Sequence, residues 1–230
     1  MQTFVRKVVR QVRIDGVFGV AAKVPLWLRG IREAKLDREL GINTTGQVDV
    51  ADSAASAPDC AHLSNAVFYA PLAFPKFHRL IRAAQPFDAA GYTFIDYGAG
   101  KGRALVLAAR LGFRRVVGIE LFASLHADGL ANITAFAPRD PRAGSIELLC
   151  MDAAVYRPPP GNLFCYFYNP FDAVVMRKVL TALQAAHEAA PRRIIVAYSN
   201  PVHAAVFDGA RFLRLHHREE GLRIYANDES

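Results

Sequence analysis

Residues 93–103 read Thr-Phe-Ile-Asp-Tyr-Gly-Ala-Gly-Lys-Gly-Arg and run on into Ala-Leu-Val-Leu-Ala-Ala-Arg-Leu at 104–111. The first six residues predict a buried strand, and the apolar spacing from Lys101 to Leu111 predicts a helix. A strand that turns on glycines into a helix is the element that opens a doubly wound α/β sheet, where ligands bind beyond the carboxyl ends of the strands. Glycine has a physical use there. Gly98 and Gly100 lack Cβ, which permits a tight turn and lets a ligand approach the backbone around Ala99, while Gly102 is expected to let helix and strand pack closely.

Working outward, the pattern alternates. Arg-Arg-Val-Val-Gly-Ile-Glu at 114–120, Ser-Ile-Glu-Leu-Leu-Cys-Met-Asp at 145–152, Leu-Phe-Cys-Tyr-Phe-Tyr-Asn-Pro at 163–170 and Arg-Arg-Ile-Ile-Val-Ala-Tyr-Ser-Asn at 192–200 read as further strands. Helices are expected at 121–133 and 173–189, and a shorter one is marked by Phe74, Phe77, Leu80 and Ile81. Such alternation predicts a parallel sheet with helices on both faces. The chain ends differently, with residues 212–220, a turn at Gly221 and residues 222–228 predicting a hairpin.

Acidic residues end the first three of these strands or sit close to their ends. Glu120 can accept hydrogen bonds from two ribose hydroxyls, and Asp152 can accept one from an adenine amine. A dinucleotide fingerprint would place Gly or Ala where this chain has Arg103. A carboxylate at Asp96, two residues before the first glycine, would also repel a pyrophosphate, whereas it suits a cationic ligand with a free amino group such as S-adenosylmethionine.

Through Asp96 to Gly102, Glu120, Asp152 and Tyr168-Asn169-Pro170-Phe171, residues 69–228 resemble the class I S-adenosylmethionine-dependent methyltransferases. The resemblance implies a Rossmann-like α/β fold, a seven-stranded, mostly parallel sheet with an antiparallel last strand and helices on both faces, to which the residues upstream add an N-terminal helical extension. It divides the chain into an extension, residues 1–68, and a methyltransferase domain, residues 69–230. It implies S-adenosylmethionine as cofactor, with its methionine portion at Asp96, Gly98, Ala99 and Gly100, its ribose at Glu120 beside Leu121, and its adenine at Asp152 and Ala153. More narrowly, Asp37-Arg38, Gly41-Ile42, Thr44 to Gly46, Tyr69-Ala70-Pro71 and Asp96 to Arg103 look like a group of bacterial methyltransferases whose glycine loop is similar to that of histone lysine methyltransferases. That likeness would put Tyr69 near the methionine end of the cofactor. A plain aromatic packed at the entry to the Pro71 helix is the alternative.

Tyr168-Asn169-Pro170-Phe171 resembles the Asn-Pro-Pro-aromatic motif of amino and amide methyltransferases, although Phe171 stands where the second proline would be. The resemblance makes Asn169, Pro170 and Phe171 the catalytic loop, with Asn169 also touching the cofactor. An amide oxygen on Asn169 can accept from an acceptor N–H, whereas a simple strand-end turn would use Asn169 to cap the following helix. The expected reaction is N-methylation of a protein lysine or another amine or amide. Oxygen or carbon methylation of a small molecule, and a non-catalytic cofactor-binding role, stay open. His203 is the nearest candidate base, with no Ser/His/Asp set in view.

The chain has 230 residues, 52% of them hydrophobic, enough for a full core, and a formal charge of +7. The charge is concentrated: residues 1–36 hold Arg6, Lys7, Arg10, Arg13, Lys23, Arg29, Arg32 and Lys35 against Asp15 and Glu33. A near-neutral body argues against a broad nucleic-acid footprint and for a local basic attachment surface; the methyl acceptor, a protein or a small molecule, is not named by the sequence. Phe4, Val5, Val8, Val9 and Val12 follow helical spacing with the basic residues opposite, a basic amphipathic helix that either packs on the domain or attaches to a membrane surface or an acidic partner. A cytoplasmic protein is expected, with peripheral membrane attachment as the alternative to a packed helix. Residues 41–65 read as a loop or mobile cover. Cys60, Cys150 and Cys165 suggest neither disulfides nor zinc, with two of them in apolar strands as buried hydrophobes, and His216 and His217 should face opposite sides of their strand.

Overall fold

The computed structural model describes residues 28, 30–45, 48–49, 68–69 and 71–227. The basic segment around residues 4–13 and most of the stretch read as a cover lie outside them, as do Cys60 and the side chain of Tyr69. Helix α1, residues 30–40, turns Glu33, Asp37 and Leu40 inward. It ends at Gly41, whose φ is +72°. The Gly41 N–H donates to the Arg38 carbonyl at 3.1 Å and the Ile42 N–H to the Asp37 carbonyl at 2.9 Å, the paired bonds of a glycine C-cap. Ile42 and Thr44 are buried in turn. The segment just after Gly41 is therefore a loop fixed in the domain, the first of the two readings, loop or mobile cover, that composition allowed.

Short strands β1 (Val48–Asp49) and β2 (Phe68–Tyr69) pair antiparallel, apart from the main sheet. Helix α2 (Phe74–Ala83) buries Phe74, Phe77 and Leu80 at helical spacing, with a proline in its first turn where an N–H is not needed. There follow β3 (Tyr92–Tyr97), α3 (Arg103–Arg110), β4 (Arg115–Glu120), α4 (Ala123–Phe136), β5 (Ile146–Cys150), β6 (Asn162–Tyr168), α5 (Ala173–Ala189), β7 (Ile194–Ser199), α6 (Ala204–Asp208), β8 (Arg214–Glu219) and β9 (Leu222–Ala226). Sheet order is β5-β4-β3-β6-β7-β9-β8. β3 pairs parallel with β4 and β6, β4 with β5 and β6 with β7, while β9 runs antiparallel to both β7 and β8. This is the seven-stranded, mostly parallel, Rossmann-like arrangement expected, with β9 as the reversed strand.

Alternation along the strands divides the core. Phe94, Val116, Phe164 and Ile195 face α2, α3 and the last turn of α4, joined by Leu40 and Ile42 from the N-terminal segment. Ile95, Val117, Cys165 and Val196 face α5 and Phe207 of α6. Leu40 and Ile42 thus share one core with the sheet, across the boundary drawn at residue 68. Helix α6 had no clear sequence signal, being a single five-residue segment. Cys165 is buried but Cys150 is exposed, because β5 is the edge strand and ends there. A bulge between Leu215 and His217 interrupts the pairing with β9 and the strict alternation expected of the histidine pair.

Candidate functional site

The order of strands reverses between β3 and β6, so the loops leaving their carboxyl ends, residues 98–102 and 169–172, face each other across the switch point. They touch. Gly98 has φ +89°, and a Cβ there would overlap the ring of Pro170. Glycine is thus required at 98 twice over, by conformation and by the proline of the opposite loop.

The glycine loop is tied down from three sides. Gly98 and Ala99 N–H both donate to the Ile119 carbonyl at 2.9 Å, and the Gly100 N–H donates to Glu120 Oε2 at 2.7 Å. Asn132 of α4 donates through Nδ2 to the Lys101 carbonyl at 2.9 Å. Gly102 departs from its expected role. A Cβ there would meet nothing closer than 3.7 Å, so its φ of +80°, not close packing, is what requires glycine. The close approach is made by Gly118 and Gly129 instead: a Cβ on Gly118 would come within 2.6 Å of Leu105 and Leu148 and 3.0 Å of Ala99, and one on Gly129 within 3.1 Å of the Gly100 carbonyl. A lone Gly inside a strand and another inside a helix were the available signals.

Asp96 and Glu120 point to the same face of the sheet and are 3% and 5% exposed. Burial, and then the neighbouring Glu120 charge, hold the Asp96 carboxyl well above the usual carboxylate range. Burial also raises Glu120, against the lowering effect of the N–H groups of Phe122, Gly100 and Leu121. Of these donors, the Phe122 N–H reaches Oε1 at 2.9 Å and the Gly100 N–H reaches Oε2. A carboxylate has about four acceptor sites, so room for further hydroxyl donors is left. Leu121 is half-buried beside it. Asp152 uses Oδ1 to accept from the Ala154 N–H at 2.8 Å, closing a short turn over buried Ala153 at the end of β5. Tyr69 is placed by its backbone in β2, opposite Val48.

Across the switch point, Asn169 has φ +43° and the parallel Asn200 has φ +48°. Asn tolerates this left-handed region better than most residues, but a residue before proline is normally extended, so both Asn-Pro turns hold strain of the kind found at working sites. Asn169 does not cap the next helix. Asp172 does, accepting from Val174 and Val175 N–H at 2.9 Å. Instead Asn169 Oδ1 accepts from the Tyr198 hydroxyl at 3.3 Å, which itself accepts from the His203 N–H at 3.2 Å. His203 enters the site through its backbone. Phe171 stands edge-on to buried Phe167, with ring centroids 6.4 Å apart.

Arg103 escaped functional reading in the sequence. Its guanidinium is buried between Glu33 (Nη1 to Oε2, 2.5 Å) and Asp37 (Nη2 to Oδ1, 3.1 Å). It also donates to Thr44 Oγ1 and the Leu72 carbonyl and lies 4.4 Å from the Phe74 ring centroid. The i, i+4 acid pair of α1 was the signal available.

By sequence the chain matches no family profile and no curated protein. Among solved structures it is similar to a TehB-like SAM-dependent methyltransferase from Corynebacterium glutamicum, at 16% identity and a TM-score of 0.46 over 66% of this chain and 87% of that one. It is also similar to an RNA methyltransferase from Salinibacter ruber in complex with S-adenosyl-L-homocysteine, at 19% identity and a TM-score of 0.45 over 68% and 92% of the two chains. A third is a ribosomal protein L11 methylase from Lactobacillus delbrueckii subsp. bulgaricus, at 13% identity and a TM-score of 0.45 over 66% and 76%. Identities this low carry nothing about substrate, and the functional reading rests on this chain's own residues.

Proposed function

We propose that the chain is an S-adenosylmethionine-dependent methyltransferase acting on the nitrogen of an amine or amide, a protein lysine included. The observation that carries the reading is the pair of buried carboxylates, Asp96 and Glu120, beside a backbone-lined glycine loop. Two carboxyl groups held together out of water resist ionising side by side, so a cationic ligand that meets them is favoured and a pyrophosphate is not. Asp96 would meet the amino group of the methionine portion, with Gly98, Ala99 and Gly100 offering backbone. The free acceptor sites of Glu120, beside Leu121, would take ribose hydroxyls, and Asp152 with Ala153 would border the adenine. Tyr69 is assigned to the methionine end on resemblance. The cofactor, when bound, supplies a methyl group activated on a sulfonium.

The chain's own part is positioning. Tyr198 fixes the Asn169 oxygen, which can accept a second hydrogen bond from an acceptor N–H. Pro170, seated on Gly98, keeps the acceptor loop and the cofactor loop in one register, and Phe171 offers an aromatic flank.

Calorimetry tests the cofactor. S-adenosylhomocysteine is expected to bind and NAD not to, with Glu120→Ala and Asp96→Asn each weakening binding; unchanged affinity in both variants would remove the assignment. The pH dependence has a definite sign. With the folded Asp96 pKa raised above the ordinary value of about 4, its contribution to stability is fully present below the unfolded pKa and falls as pH rises toward the folded one. Ligand-free Asp96→Asn should therefore melt higher than wild type at pH 7 while binding the cofactor less well. Wild-type affinity for the cationic cofactor should tighten as pH rises and Asp96 ionises. The acceptor is sought by incubating cell extract with labelled S-adenosylmethionine: label in protein or an amine metabolite supports nitrogen methylation, and label confined to oxygen or carbon products sinks it.

We also propose that the basic segment at residues 1–14, outside the described residues, attaches the protein peripherally to an anionic surface. No helix among the described residues is long and apolar enough to cross a membrane. Sedimentation with anionic vesicles should be lost at high salt and on deleting residues 1–14. Salt-insensitive or deletion-insensitive binding would refute the attachment.

A further inference from the structure

The N-terminal segment is fastened to the glycine loop at two neighbouring residues. Asn132 bridges them at one point: its Nδ2 donates both to Lys101 of the loop at 2.9 Å and to the Asn43 carbonyl at 3.3 Å, while its Oδ1 accepts from the Asn43 N–H at 2.7 Å. Arg103, the first residue after the loop, makes the second attachment, its Nε donating to Thr44 Oγ1 at 2.6 Å. Thr44 in turn is held by Asp37, whose carboxylate accepts from the Thr44 N–H at 2.6 Å, the Thr44 hydroxyl at 2.9 Å and the Thr45 N–H at 2.9 Å. Residues 43 and 44 are thus pinned to side chains that contact or adjoin positions 101 and 103.

The charges explain why this fastening is firm. One guanidinium faces two buried carboxylates, and the excess negative charge is met by the backbone and hydroxyl donors of Thr44 and Thr45. A fully satisfied buried network is stiff, whereas a partly satisfied one is costly. The network therefore resists gradual loosening, and the glycine loop cannot move far without disturbing the seat of residues 41–45.

We infer that Arg103 is a positioning residue for the cofactor loop, acting through Thr44 and Asp37, and that seating of residues 30–45 is coupled to ligand binding at that loop. This rests on the cofactor reading above. Coupling of this kind is reciprocal: whatever holds the loop also holds the N-terminal segment, and loosening the segment weakens the ligand. The chain upstream of α1 carries the basic residues proposed to attach to a surface, so engagement there has a covalent route to the cofactor loop.

The test uses the full chain and S-adenosylhomocysteine as probe, with three readouts on each variant: melting temperature, affinity by calorimetry, and the rate of tryptic cleavage at Arg32, Lys35 and Arg38 of α1. Thr44→Val removes the hydroxyl between Arg103 and Asp37 at nearly constant volume, and Thr44→Ser keeps it. Arg103→Lys keeps the charge without the fork and supplies the same readouts where Thr44→Val gives no folded protein. Expected are at least about a fivefold loss of affinity in folded Thr44→Val, the low end of typical coupling, recovery in Thr44→Ser, and ligand protection of α1 from trypsin in wild type that is reduced in Thr44→Val. A merely structural role would lower melting temperature and leave both affinity and ligand-dependent protection as in wild type, and that result overturns the inference. Failure of wild type itself to bind S-adenosylhomocysteine overturns the cofactor reading, and the coupling with it.

Discussion

Asn169→Ala is expected to slow methyl transfer by about ten- to hundredfold while leaving cofactor affinity nearly unchanged. The estimate is the loss of one oriented hydrogen bond to a reacting group, about 1.5–3 kcal/mol if it falls on the transition state. The substitution also removes the partner of the Tyr198 hydroxyl and puts alanine where φ is +43°, a left-handed conformation that Asn tolerates better than Ala does. Stability should therefore fall as well, and turnover must be measured per folded molecule. Tyr198→Phe separates the effects. It keeps Asn169 and its backbone, frees the amide to rotate, and should lower turnover less than Asn169→Ala does. Normal turnover in folded Asn169→Ala would remove Asn169 from the reaction and leave it as a turn residue, its helix-capping role being already filled by Asp172.

Arg103→Met is expected to be among the most destabilising single substitutions in the chain. It removes the cation from a network in which the side chains of Arg103, Glu33 and Asp37 are 4%, 10% and 3% exposed, leaving two carboxylates buried without their counter-ion. Breaking a buried pair from one side costs about 3–5 kcal/mol, which for a domain of this size lowers the melting temperature by roughly 6–20 °C. The exposed pair Arg115–Glu147 is the internal control, since its side chains are 46% and 45% exposed. Arg115→Met should cost less than about 1 kcal/mol, because solvent screens such a pair. Thermal melts of the two variants side by side decide the matter: equal, small shifts would mean that α1 is not held by this network.

The half of the site proposed to hold the cofactor is local in the sequence. A strand, a glycine turn and a helix start lie within residues 93–111, and each carboxylate is marked by its place at or near a strand end, a pattern set by period-2 alternation and turn chemistry. The half proposed to face the acceptor is marked in the sequence only as a motif. That Asn169 takes a left-handed turn, and that its oxygen meets Tyr198, depends on β6 and β7 being neighbours in the sheet, which separates contacting residues by 29 positions in the chain.

What the sequence determined by itself is the succession of the main strands and helices, the closing hairpin and the glycine turn after β3, since hydrophobic period and glycine placement act over a few residues; the five-residue α6 left no such signal. Only the tertiary structure decided which glycines serve packing and which serve conformation. It moved close packing from Gly102 to Gly118 and Gly129, because a Cβ clash is a property of two surfaces meeting. It likewise decided that Arg103, Glu33, Asp37 and Thr44 form one network. Their separations of up to 70 positions in the chain carry no periodic signal, and charged residues are usually solvated. Burial of the whole set, which makes the ion pairs strong and their loss costly, arises only when α1, α2 and α3 close over the same point of the core.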